Sequence, residues 1–240
     1  MPTIMDAVIL CGGLGTRIRT VTKDSYPKVM VQIVGRTILE WELSWLRKHG
    51  INHAILAVRH LASYIEEQFG KNYTTKYGDI NISYSREQEK LGSGGAVKLA
   101  KNHVKTSDFL ILNGDIITNF DLGKMIEFHK KGEKKGTIAV AKMRSPFGIV
   151  ETTKQDEILA FKEKPILDHW IHAGVDIFNK DVIDRFPDKG QMEETIFVDL
   201  AKENHLKAFR ICPQCFWRSI DNPKDVQETE RDWKGLESQT

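Results

Sequence analysis

The first 115 residues alternate between strand-length apolar runs and segments of helical spacing, and this order limits the available folds more than any other feature. "DAVILC" (6–11) is strand-length and apolar after its first residue. "TILEWELSWLRKHG" (37–50) opens on a Thr-x-x-Glu capping box at Thr37 and Glu40, repeats apolar residues at helical spacing and stops at Gly50. "HAILAV" then leads into "LASYIEEQFG", with Leu61, Ile65 and Phe69 on one face, and "INISYS" leads into a predicted helix over about 94–102. A fourth strand, "DFLILN", stops just before Gly114 and Asp115. Strand, helix, strand in this succession predicts an α/β protein with a doubly wound, parallel sheet of Rossmann-like type. After about residue 136 the pieces "TIAVAKM", "FGIVETT", "EILAFKE" and "IHAGVDIFN" read as strands, with a helical stretch around "MEETIFVDLAKENH". We expect them to extend the same core as mixed sheet.

A chain of 240 residues, 40% of them hydrophobic, is long enough for one large core. No Ser/Gly-rich linker and no solenoid-type repeat divides it. We therefore expect a single domain over 1–240, with 1–135 and 136–240 as its two halves. Charged residues make up 28% of the chain, but the signs nearly cancel at +2, and no long block of one sign stands out. Nothing in this pattern asks for a nucleic acid or a membrane surface as partner. The N-terminus "MPTIMDAVIL" lacks a basic signal-type region, and no window approaches about 18 uninterrupted apolar residues, so the expected compartment is the cytoplasm. Three cysteines, Cys11, Cys212 and Cys215, are too few and too odd in number for a disulfide framework. The "CPQC" pair has redox or zinc spacing but no second ligand pair, and is expected to be two ordinary thiols.

The glycines that follow the first strand carry chemical information. In "ILCGGLGTRIRTVTKDSYPKVM" (9–30), Gly12, Gly13 and Gly15 lie at the carboxyl end of a parallel strand, where α/β sheets place phosphates. Backbone N–H groups approach a phosphate closely only where no Cβ intervenes. The spacing is neither the dinucleotide G-x-G-x-x-G nor a P-loop, and glycines alone would serve a tight turn equally well. Arg17 and Lys28 favour the phosphate reading, because a triphosphate needs cations as well as amides.

With these residues in view, the segment resembles the signature of the nucleoside-diphosphate-sugar pyrophosphorylases, the sugar-1-phosphate nucleotidyltransferases, L-A-G-G-x-G-T-R-L-x-P-L-T followed by P-K-P. Further matches run in order to residue 226: "LGSGGA" resembles the segment near the base, "NGD" the metal-binding strand end, "FKEKP" the sugar-binding E-K-P, "HAGVDIF" the N-A-G segment, and "FWRSIDNPKDV" the late W-x-D-I-G-T-P-E-D motif. The resemblance implies a glycosyltransferase-A-like nucleotidyltransferase fold and an enzyme of the EC 2.7.7 class. It implies nucleotide contacts from Leu10, Gly12, Gly13, Gly15, Thr16, Arg17, Glu87, Gly92 and Asp115. It implies sugar-phosphate contacts from Gly148, Glu163, Lys164, His172 and Gly174. Arg17, Lys28 and Asp115 would be catalytic, and Asp115 and Asp221 would hold Mg²⁺. The chain departs from the pattern at Cys11, Thr20, Val29 and His172, and reads "SIDNP" in the late motif. His172 stands where asparagine often meets the sugar, which leaves the sugar open. The altered late motif leaves the second metal ligand as Asp221, which we favour, or a residue elsewhere.

Such a site transfers a nucleotidyl group: a phosphate oxygen of the sugar 1-phosphate attacks the α-phosphorus of a nucleoside triphosphate, and pyrophosphate leaves. Both reactants are anions, so catalysis is mostly in-line positioning and neutralisation of charge. Relatives that transfer uridylyl or thymidylyl groups tend to carry glutamine where this chain has Glu87. A carboxylate accepts from both N1–H and the 2-amino group of guanine and repels the carbonyls of uracil and thymine. The expected substrates are GTP and mannose 1-phosphate, with UTP or dTTP and glucose 1-phosphate as the alternative. Gln88 remains a competing reader of the base, and a hairpin turn is the plain alternative for Gly148. Two other classes remain: a non-catalytic regulatory homologue, which intact Arg17, Lys28, Asp115 and Lys164 oppose, and a dehydrogenase, which the glycine spacing and the basic end of "HAILAVRH" oppose. After "DNPKDV" only "QETERDWKGLESQT" remains, so no C-terminal β-helix domain is expected. Oligomeric state stays open, a homodimer among the states allowed.

Overall fold

A computed structural model describes residues 5–238. In chain order its strands are β1 (Asp6–Leu10), β2 (Gln32–Ile33), β3 (Arg36–Thr37), β4 (His53–Val58), β5 (Asn72–Thr75), β6 (Gly78–Arg86), β7 (Asp108–Asn113), β8 (Ile116–Thr118), β9 (Gly136–Arg144), β10 (Ile149–Thr152), β11 (Ile158–Lys162), β12 (Ile166–Asn179), β13 (Leu206–Arg210) and β14 (Trp217–Ser219). The helices are α1 (Arg19–Thr22), α2 (Ile38–Lys48), α3 (Ala62–Phe69), α4 (Gly92–Leu99), α5 (Leu122–Lys130), α6 (Ile196–Lys202) and α7 (Pro223–Asp232). Eight strands form one sheet in the order β13-β9-β12-β7-β1-β4-β6-β5. The pairs β7–β1, β1–β4, β4–β6 and β9–β13 are parallel, whereas β12 runs antiparallel to both its neighbours and β5 is antiparallel to β6.

Period-2 alternation buries both faces of this sheet, as a parallel core requires. Ala7 and Ile9 of β1, Leu56 of β4 and Leu110 and Leu112 of β7 join one apolar cluster, together with Ile38, Leu43 and Trp45 of α2 and Ile65 and Phe69 of α3. Val8, Ile55, Phe109 and Ile111 face the other way and pack with Val97 of α4. The crossovers therefore change face: α2 and α3 cover one side on the way from β1 through β4 to β6, and α4 crosses the other side to bring β7 back beside β1. That change creates a crevice outside the carboxyl ends of β1 and β7, where open α/β sheets bind ligands.

The start of α2 matches the sequence reading. Glu40 N donates to Thr37 Oγ1 at 3.2 Å and Thr37 N donates to Glu40 Oε2 at 2.7 Å, so two of the helix's otherwise unpaired amides are satisfied. Gly50 supplies the positive φ (85°) just beyond the helix end.

Three expectations are corrected. First, β9 and β12 join the main sheet, but β10 and β11 pair only with each other. Their apolar residues fall at consecutive positions, Ile149 with Val150 and Ile158 with Leu159, so one side of the hairpin could not cover them all, and these four stay exposed. Second, the helix expected over 94–102 begins at Gly92 and ends at Leu99, with a 3-10 turn over Ala100–His103. Third, Cys212 and Cys215 are not two separate thiols but are joined as a disulfide. A turn closed by Cys215 N donating to Cys212 O at 3.0 Å brings their Cα atoms to 5.3 Å, within bonding range. Among the described residues no helix is long and apolar enough to cross a membrane.

Candidate active site

The glycine-rich loop leaves β1 at Leu10 and turns through Gly15, whose left-handed φ of 60° puts Thr16–Ile18 into a 3-10 turn. Cys11 N donates to Ala57 O of β4 at 2.8 Å, which holds the loop's first residue in the sheet. Opposite, β7 ends at Asn113 and the chain turns at Gly114. No side chain fits there, because a Cβ would lie 2.6 Å from Leu10 O. Gly114 N instead donates to Leu10 O at 3.2 Å, and this close approach delivers Asp115 to the mouth of the crevice. Asp221 arrives from the other end of the chain. β14 pairs with β8, Ile220 N donates to Asp115 O at 2.8 Å, and Ser219 Oγ donates to Asp221 Oδ2 at 2.9 Å. Asn222 then caps α7, which starts on Pro223.

Four charged side chains meet here. Lys28 Nζ lies 2.6 Å from Asp115 Oδ2 and 3.0 Å from Asp221 Oδ1, and Arg17 Nη2 lies 2.8 Å from Asp221 Oδ1. Lys28 is 15% exposed and Arg17 75%, so the lysine forms the floor and the arginine reaches in from the rim. Burial opposes the Asp221 carboxylate, but Lys28, Ser219 and Arg17 outweigh it and hold its pKa below the ordinary range. Arg17, Lys28, Asp115 and Asp221, with Leu10, Gly13, Gly15, Thr16 and Gly114, line a cavity of about 240 Å³.

A second cavity of about 510 Å³ shares the glycine loop and Asp115 and extends over Gly12, Arg59, Glu87, Lys90 and Gly92. Glu87 is buried against Gly12, where a Cβ would sit 2.6 Å from Glu87 Oε1, and Glu87 Oε2 accepts from Leu91 N at 3.1 Å. Burial raises its pKa, with Leu91 N and Arg59 acting the other way. Gly92 (φ 80°) starts α4 beside Gly190, where a Cβ would meet Gly190 O at 2.5 Å.

The structure thus brings together every nucleotide-side residue expected from the sequence: Leu10, Gly12, Gly13, Gly15, Thr16, Arg17, Lys28, Glu87, Gly92, Asp115 and Asp221. The sugar-side residues are more dispersed. Lys164, whose Nζ is 3.6 Å from Glu163 Oε1, lines an adjoining cavity of about 650 Å³ with Arg144, Arg218, Asn222 and Asp225. Gly148 packs against Phe161 and Glu163, leaving no room for a Cβ. His172 Nε2 is 2.8 Å from the buried Asp176 Oδ1. Burial works against the imidazolium, but Asp176 outweighs it and lifts the pKa of His172. Gly174 (φ 71°) lies against Asn113, which lines the larger of the two cavities on the glycine loop.

Sequence reasoning missed Arg59, Lys90, Asn113, Gln191 and Glu193 in that cavity. Arg59 was within reach, since it follows β4 at the carboxyl edge. Gln191 and Glu193 lie before α6, and only the tertiary fold brings that loop over Ser93, whose Oγ lies 3.0 Å from Gln191 Oε1 and 2.8 Å from Glu193 Oε2.

A family model described as nucleotidyl transferase matches residues 6–233. The chain belongs to that family. A mannose-1-phosphate guanylyltransferase catalytic subunit beta from Xenopus tropicalis is 38% identical to this nucleotidyl transferase family member over 229 residues, and a mannose-1-phosphate guanylyltransferase from Mycobacterium tuberculosis is 31% identical over 228. Each alignment covers 92% of this chain and 62% of the relative, so the chain spans about three-fifths of their length. Among solved structures, HddC from Yersinia pseudotuberculosis superposes with a TM-score of 0.73 at 28% identity, covering 96% of this chain and 100% of that one. The same protein has been solved complexed with GMP-PN. A putative glucose-1-phosphate thymidylyltransferase from Bacillus anthracis, at 15% identity, 95% and 94% coverage and a TM-score of 0.74, shares the fold.

Proposed function

We propose that this family member condenses GTP with mannose 1-phosphate to give GDP-mannose and pyrophosphate. One observation carries the reading: Lys28 and Arg17 converge with Asp115 and Asp221 within 3.0 Å at the mouth of a glycine-lined crevice. Two cations beside exposed loop amides suit a polyphosphate, and the guanylyltransferase relatives support the substrates.

In this reading Gly12, Gly13, Gly15 and Thr16 cradle the triphosphate, and Arg17 and Lys28 stabilise the negative charge that collects on the departing pyrophosphate. Lys164 holds the phosphate of the sugar and Glu163 one of its hydroxyls, with Gly148, His172 and Gly174 shaping the sugar side. Glu87, on the floor beside Gly12, accepts from guanine N1–H and the 2-amino group. An oxygen of the sugar phosphate attacks the α-phosphorus in line with the leaving pyrophosphate, and both anions are held in register by one chain. Residues 1–135 act as the nucleotide half and 136–240 as the sugar-phosphate half of one domain, and β12 bridges the two. A homodimer is not required, and the cytoplasm is the compartment this reading assigns.

The donor set also fits Mg²⁺. Asp115 and Asp221 are hard oxygen ligands, and among the described residues no group of three or more His, Cys, Asp or Glu forms a closed metal cage. Mg²⁺ is characteristically held by one or two carboxylates, with substrate phosphates and water completing its shell. Bound there, it would supply charge neutralisation to the phosphate oxygens.

The deciding experiment is a matrix of nucleoside triphosphates against sugar 1-phosphates, scored by pyrophosphate release. The highest kcat/KM is expected for GTP with mannose 1-phosphate. A preference for UTP or dTTP would overturn the base assignment, and no release from any pair would identify a non-catalytic homologue.

A further inference from the structure

Glu42 is a carboxyl on the wrong side of its helix. Its neighbours on the buried face of α2 are Ile38, Leu39, Leu43, Trp45 and Leu46, and Glu42 itself is 3% exposed. One oxygen, Oε1, accepts from Ile116 N at 3.3 Å, whereas Oε2 is buried without a hydrogen-bond partner. Burying a carboxyl with one oxygen unpartnered is unfavourable, and a leucine of similar size would pack at the same position without that cost.

What Glu42 touches explains its presence. Gly114, Asp115 and Ile116 are each anchored from a different element: Gly114 N to Leu10 O of β1 at 3.2 Å, Asp115 O from Ile220 N beyond β14 at 2.8 Å, and Ile116 N to Glu42 of α2. The first two anchors are backbone groups that any sequence would supply. The third is a side chain, and it fixes the peptide immediately after Asp115. We propose that Glu42 is a positioning residue that holds the Asp115 strand end in the orientation needed to receive a divalent cation with the nucleotide. The inference rests on the function proposed above. It assigns Glu42 no contact with substrate.

If the backbone bond is what matters, glutamine should replace glutamate, because its amide oxygen still accepts from Ile116 N. Leucine and methionine should not. The test measures, by calorimetry without sugar phosphate, the affinity for GTP alone and for GTP with Mn²⁺, and takes the ratio as the gain due to metal. For Glu42→Gln the gain and kcat should stay within threefold of wild type. For Glu42→Leu and Glu42→Met the gain should fall tenfold or more and kcat with it, while metal-free GTP binding and the melting temperature stay close to wild type.

Three results would overturn the proposal. Apolar variants that keep the full metal gain would make Glu42 a tolerated buried acid. Equal losses in the glutamine and leucine variants would assign the effect to the carboxyl group itself. Apolar variants that both fail to fold would place Glu42 in the structural core alone. A wild-type protein that binds GTP but gains nothing from Mn²⁺ would instead remove the metal reading on which the inference stands.

Discussion

At Lys28 one ammonium lies within 3.0 Å of two carboxylates that would otherwise repel each other. Lys28→Ala should lower kcat by about 10² to 10³, the scale for losing one preorganised contact to developing charge. Pre-steady-state and steady-state rates on a variant of unchanged circular dichroism would measure it, and a change in melting temperature with turnover intact would reduce Lys28 to a structural counter-ion. On the proposed function, Glu87 reads the base. Glu87→Gln removes a charge-assisted acceptor worth about 1.5–3 kcal/mol, so the ratio of kcat/KM for GTP over UTP should fall about 10- to 100-fold. Burial raises the Glu87 pKa, so its ionised form is lost at a higher pH than for an ordinary glutamate. The pH profile of kcat/KM for GTP should therefore carry an acidic limb that Glu87→Gln abolishes. These residues were legible because short motifs fix backbone chemistry locally. Glu42 was not, since nothing in "TILEWELSWLRK" tells which neighbour a buried carboxyl will meet.

At the scale of elements, α2 links fold and site. Its amphipathic spacing, capping box and terminal glycine were all readable, because each is set within a few residues. Thr37→Ala removes the oxygen that accepts from Glu40 N and should cost about 1 kcal/mol, measured as a lower urea midpoint at unchanged m-value. A variant within 0.3 kcal/mol of wild type, a margin set against that typical value, would show that the sheet rather than the cap holds the helix start. The β10–β11 hairpin was read as part of the main sheet because strand propensity says that a segment will extend, not which strand it will pair with. Short edge and closing strands such as β5, β13 and β14 escaped notice for the same reason: their partners, not their sequences, make them strands.

On the scale of the whole molecule, Asp6 ties β1 to distant parts of the chain: its Oδ1 lies 2.8 Å from His53 Nδ1 of β4, and its Oδ2 accepts from Lys105 N and Thr106 N. Burial opposes its charge, but these bonds outweigh it and hold its pKa below the usual value. The stability this gives is present above the unfolded pKa of about 3.9 and is lost as pH falls through the lower folded value. Asp6→Asn should therefore destabilise the protein at neutral pH and flatten its acid unfolding limb, as read from urea midpoints between about pH 2 and 7. An unchanged limb would assign acid unfolding to other carboxylates. The overall winding was legible for a complementary reason, since crossover handedness leaves few ways to arrange alternating strands and helices. Arg17 and Lys28 are matched by Asp115 and Asp221, two charges against two, so the crevice at rest is a closed circuit with little net field at its mouth. A lone phosphate must displace carboxylates from the cations, and a lone divalent ion must displace cations from the carboxylates. A chelated triphosphate brings both signs at once, and every broken pair is replaced in the same event. On the proposed function, such a crevice would select the nucleotide in its metal-loaded form, through trading partners instead of adding them.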